Sequence, residues 1–114
     1  MMRYKVVLVP FPFDDLSSSK VRPAVCLTEP TSPYRHIVLA FITSRIPQEL
    51  SDTDLVLSME ENGFETTGLR VSSTLQLHRL MTVTTSLIKR ELGALTPRMQ
   101  KKVKERLRTL FNLS

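Results

Sequence analysis

Val6-Val7-Leu8-Val9-Pro10-Phe11-Pro12-Phe13-Asp14-Asp15-Leu16-Ser17-Ser18-Ser19-Lys20-Val21-Arg22-Pro23-Ala24-Val25 is the stretch on which the fold of this chain turns. Its β-branched opening suits a strand. Alternation then puts Val7, Val9, Phe11 and Phe13 on one face. Pro10 and Pro12 cannot donate ladder hydrogen bonds, which places that end at an edge or a bulge. Asp14 to Lys20 is polar and reads as a loop. From Val21 to Thr28 the chain is again strand-like, with Arg22, Ala24 and Cys26 on one face and Val21, Pro23, Val25 and Leu27 on the other. Two strands joined by a polar loop, from Val6 to Leu27, are therefore the first expectation.

Working outward, His36 to Thr43 is nearly continuous in apolar residues, as in a strand covered on both faces. Asp54 to Met59 is a shorter strand, and Glu60 to Gly68 a loop. Leu69 to Leu77 and Leu80 to Thr84 read as two further strands. Ser86 to Glu91 reads as a single helical turn closed near Gly93. Thr96 and Pro97 supply an N-cap and a first helical residue. Met99, Val103, Leu107, Leu110 and Phe111 follow at helical spacing. Many short strands and one terminal amphipathic helix predict a mainly β protein, a small barrel with a helix packed on it. With 114 residues, 1–114 is expected to form one domain.

The formal charge is +5, and residues 96–114 alone account for it: Arg98, Lys101, Lys102, Lys104, Arg106 and Arg108 stand against Glu105. The rest of the chain is balanced. Basicity is thus a property of the last helix, whose outer face is either solvated or a contact for acidic partners. No apolar run approaches the roughly 20 residues of a membrane helix. No leader is recognisable at the start, so a cytoplasmic protein is expected. Cys26 stands alone, which excludes an internal disulfide and reads as a buried small side chain. His36 and His78 are isolated, and Asp14-Asp15 and Glu60-Glu61 lack further ligands, so no metal or other cofactor is expected.

What remains is Arg22. A permanent charge beside Pro23 on an apolar strand must face a cleft or find a partner. A guanidinium fork suits a phosphate, and Thr43-Ser44 at the end of the strong strand could face the same cleft. The alternative is a surface ion pair of Arg22 with Asp14 or Asp15.

The same stretch closely resembles the opening of PemK/MazF-type toxins of bacterial toxin–antitoxin systems. The likeness continues through Ala40-Phe41-Ile42-Thr43-Ser44, Thr67-Gly68-Leu69, Leu80-Met81-Thr82 and Leu92-Gly93. It implies an SH3-like β-barrel with appended helices, usually a homodimer. It also implies a metal-independent, sequence-selective endoribonuclease acting on single-stranded RNA, neutralised by a small antitoxin with which it binds DNA. The catalytic residues it implies are Arg22 and Thr43. Ser17, Ser18, Ser19 and Lys20, together with Ser44, Arg45, Arg70 and Arg79, are candidates for substrate contact. Tyr4-Lys5 departs from the Gly-Asp or Gly-Glu common in that family, and no Asp stands in the Leu69 to Leu77 stretch. A non-enzymatic binding module on the same barrel is the rival expectation.

Overall fold

The computed structural model describes residues 1–10 and 20–114. The readings made on Phe11 to Ser19, including the apolar face of Phe11 and Phe13 and the Asp14-Asp15 pair, lie outside the described residues. Six strands form one curled antiparallel sheet: β1 (Lys5–Pro10), β2 (Val21–Cys26), β3 (His36–Thr43), β4 (Asp54–Leu57), β5 (Ser73–Thr84) and β6 (Arg90–Ala94). Their order across the sheet is β4-β5-β3-β2-β1-β6. A single α-helix, α1 (Pro97–Phe111), follows.

Alternation sorts the apolar side chains onto the two faces. Val6, Val25, Ala40, Ile42, Leu55, Leu57, Leu75 and Leu77 form one buried cluster with Met99 and Val103 of α1. Val7, Val9, Ala24, Cys26, Ile37, Leu39, Phe41 and Val83 form the other. Helix α1 starts as its sequence dictates: Thr96 Oγ1 accepts from the Met99 N–H at 3.2 Å, and Pro97 follows the cap. Only Met99 and Val103 of its stripe are fully buried, and Phe111 is 55% exposed.

Three expectations are corrected. The two strands foreseen over Leu69 to Leu77 and Leu80 to Thr84 are one strand, β5, which starts only at Ser73. The polar His78-Arg79 pair marks a bulge within it: β3 pairs Ala40 with Leu80 and then Ile42 with Leu75, so four residues of β5 oppose Phe41 alone. The loop over Glu60 to Gly68 contains a 3₁₀ turn, Phe64–Thr67. The helical turn foreseen over Ser86 to Glu91 is a 3₁₀ turn at Thr85–Leu87, and Arg90–Ala94 is a strand. Pro10 does lie at a local edge, because β6 pairs with β1 only as far as Leu8 and Pro10 pairs with Val21 of β2 alone.

Two glycines close the barrel at β6. A methyl group at Gly68 would strike the Leu92 carbonyl, and one at Gly93 would strike the Thr66 carbonyl. Gly68 also has φ +74, which favours glycine. The separated Gly68-Leu69 and Leu92-Gly93 segments thus meet in space, main chain against main chain. Tyr4 shows the opposite economy. It holds φ 71 with a full side chain, at a cost of about 1 kcal/mol. Its N–H donates to the Cys26 carbonyl at 2.6 Å and its carbonyl accepts from Leu95 N–H at 2.9 Å. The next residue, Lys5, is paired with Glu91 at 2.9 Å, so the reversed charge at this position meets its counter-charge on β6.

Cys26 is fully buried. Burial pushes its thiol up to about 11, aided by the charges of Glu91 and Glu29 and opposed by Lys5. The native protein is therefore expected to give no reaction with a disulfide reagent at pH 8 over many minutes, and one equivalent after denaturation. Prompt labelling of the native state would show that the β2 core opens. The neighbouring Glu29 carboxylate accepts the Met2 and Arg3 N–H groups at 2.8 and 3.2 Å, which ties down the N-terminal segment. Those two bonds hold its pKa below the ordinary value.

Candidate functional site

The site arises where the β2–β3 ladder stops. Pro23 brings no N–H, and pairing of β2 with β3 runs only from Ala24–Phe41 to Cys26–Leu39. Extending that antiparallel register by two residues sets Arg22 across from Thr43. Both belong to the sheet face of Ala24, Cys26, Leu39 and Phe41, by alternation along their strands. On its other side Arg22 pairs with Val9, whose side chain is fully buried.

A cleft of about 400 Å³ opens here, lined by Arg22, Phe41, Ile42, Thr43, Ser44, Arg45, Gln76 and Arg79. Strand β5 contributes the last two. The Arg79 guanidinium carbon lies 5.9 Å from the centre of the Phe41 ring, a cation–π contact that seats it on a buried platform. Thr43 Oγ1 accepts from the Arg45 N–H at 3.2 Å. That bond occupies a lone pair and leaves the hydroxyl hydrogen to donate. Three guanidinium groups and no carboxylate therefore line the cleft among the described residues. Such a field favours a phosphodiester over any cationic or apolar ligand.

Of the residues singled out from sequence, Arg22, Thr43, Ser44, Arg45 and Arg79 meet in this one cleft. Arg70 does not. It lines a second cleft that shares Arg22, Ile42 and Ser44 with the first. Lys20 is exposed immediately before β2 and lines neither cleft. Ser17, Ser18 and Ser19 lie outside the described residues. Gln76 and Phe41 of the first cleft and Arg90 of the second were not foreseen. Gln76 was visible as a polar residue set between Leu75 and Leu77.

Neither histidine joins the site. His36 begins β3 and stacks on Tyr34 at 5.6 Å, roughly 23 Å along the strand from Thr43. His78 Nδ1 lies 3.0 Å from Thr53 Oγ1 and 3.9 Å from the buried Asp54 carboxylate. No group of three or more His, Cys, Asp or Glu side chains converges among the described residues. No described helix is long and apolar enough to cross a membrane.

The family model for the PemK-like, MazF-like toxin of type II toxin–antitoxin systems matches residues 2–111. No curated protein matches. Among solved structures, one similar chain is an endoribonuclease in complex with its cognate antitoxin, from a mycobacterial species. It has a TM-score of 0.75 at 14% identity, with 100% of this chain and 97% of that one covered. The Mycobacterium tuberculosis toxin MazF-mt6 gives a TM-score of 0.72 at 17% identity over 96% and 98% of the two chains. A further mycobacterial endoribonuclease gives 0.71 at 13% identity over 99% and 92%. The curled sheet with its terminal helix is thus the architecture of these structures.

Proposed function

Because the chain belongs to the PemK-like, MazF-like toxins of type II toxin–antitoxin systems, we propose that it is an endoribonuclease that cuts single-stranded RNA at the Arg22–Thr43 cleft. The observation that carries this reading is that Arg22 and Thr43 line one cleft at the open end of the β2–β3 ladder, with Arg45 and Arg79 beside them.

The reaction is a transesterification within the substrate. The 2′-oxygen bonds to phosphorus, the bond from phosphorus to the 5′-oxygen breaks, and a 2′,3′-cyclic phosphate and a 5′-hydroxyl result. One proton leaves the 2′-hydroxyl and one reaches the departing oxygen, so no co-reactant is consumed. The protein must hold the crowded phosphorane, where negative charge accumulates on two oxygens. Arg22 is placed to meet that charge with a two-pronged donor. Thr43 donates its hydrogen to a phosphate oxygen. Ser44, Arg45 and Arg79 hold the flanking backbone. Single strands suit such a site because their bases can be splayed away from the phosphate.

This assignment makes the chemistry independent of metal, since the guanidinium groups supply the positive charge. RNA incubated with the protein and excess chelator is expected to be cut at full rate, leaving cyclic phosphate ends. Absence of cleavage on every RNA tested would support the rival reading, a binding module on the same barrel. That rival has one specific observation behind it: no carboxylate or imidazole lines the cleft as a base among the described residues. A small acidic antitoxin and a second copy of this chain are the partners proposed, in a cytoplasmic protein that binds DNA together with its antitoxin.

A further inference from the structure

The second cleft lies across the β2–β3 ends from the first and has a volume of about 330 Å³. Its character differs. Leu8, Pro23, Leu69 and Leu92 are among its aliphatic lining, and Arg70 and Arg90 bring two exposed guanidinium groups. No carboxylate lines it among the described residues. Gly68 leaves one wall without a side chain, and its replacement is barred by the Leu92 carbonyl.

A bare phosphate gains nothing from an aliphatic floor. A nucleobase does, because it is flat, has apolar faces and carries hydrogen-bonding groups only at its edge. Guanidinium planes stack on bases as aromatic rings do. The clefts share Arg22, Ile42 and Ser44, so a strand whose phosphate sits at Arg22 is continuous with the second cleft. We propose that this second cleft is a nucleobase subsite, which takes the base of a nucleotide adjoining the scissile phosphate and sets the sequence preference there. The proposal rests on the nuclease reading and adds Arg70 and Arg90 as specificity-determining residues. An acidic peptide is the competing occupant, disfavoured by the aliphatic floor and by the continuity with the phosphate cleft.

The full-length protein, isotopically labelled, can be titrated with the four nucleoside 5′-monophosphates and with a polyglutamate peptide. Amide shifts at Leu69, Val71 and Leu92, larger for one base than for the others, are expected. Arg70→Ala and Arg90→Ala should each weaken that binding about tenfold. Val71→Asp, at a 50% exposed position where folding tolerates a charge, should do the same. In RNA cleavage these variants should flatten the preference at one nucleotide beside the cut by a similar factor. Shifts confined to the Arg22–Thr43 cleft, or shifts at Leu69 and Leu92 with polyglutamate alone, would overturn the subsite. Cleavage by all three variants with an unchanged sequence preference would overturn it while leaving the nuclease reading intact. Failure of the wild type to cut RNA would sink the nuclease reading, and the titration would still decide whether the cleft holds a base.

Discussion

Arg22→Ala should lower kcat for RNA cleavage by about 10³-fold, with its fold and thermal midpoint unchanged. Removing a charged donor aimed at developing phosphorane charge costs that much where water is partly excluded. Stability is spared because Arg22 is exposed and its strand is held by the Val9 pairing and by Ala24 to Cys26. Arg22→Lys should recover only part of the loss: the charge returns, but the two-pronged geometry does not. The measurement is single-turnover cleavage of a short RNA, with circular dichroism as the folding control. Retention of activity within twofold in Arg22→Ala would move the reaction centre elsewhere.

The largest effect on stability is expected at Gly68. Gly68→Ala places a methyl group against the Leu92 carbonyl at a residue whose φ is +74. The left-handed backbone costs about 1–2 kcal/mol for an L-residue, and overpacking adds about 1–3 kcal/mol. A loss of roughly 2–5 kcal/mol corresponds to a fall in Tm of roughly 8–20 °C for a chain of this size. Gly93→Ala, facing the Thr66 carbonyl from the other side, should destabilise through the same contact. Because the two substitutions act on one interface, their combined effect should fall short of their sum. A Tm within 2 °C of wild type for Gly68→Ala would mean that the 3₁₀ turn can withdraw from β6 at little cost.

The site was easier to read than the sheet. Arg22 shares its face with Ala24 and Cys26 by simple alternation, and Thr43 closes the strongest apolar run, so both could be placed before their register was known. Their meeting depends on the β2–β3 register, which no local pattern specifies. Strand β6 was missed because Arg90, Glu91 and Gly93 carry no alternation. It is held by β1 and by the glycine contact, both remote in sequence. Strand β5 was divided in two because its bulge is polar, and a polar break in an apolar run has the local appearance of a turn. Gln76 faces the cleft by plain alternation between Leu75 and Leu77, but Arg79 reaches it from the bulge. Residues of a bulge leave the alternation that would otherwise assign their face.

That bulge has an evolutionary consequence. The pairs Ala40–Leu80 and Ile42–Leu75 clamp β5 on either side of it, so its two exposed residues, His78 and Arg79, can be replaced without sliding the strand against its neighbours. The cleft lining at Arg79 can therefore drift while the barrel keeps its registration. A lineage built this way can vary the wall of this cleft without refounding its core.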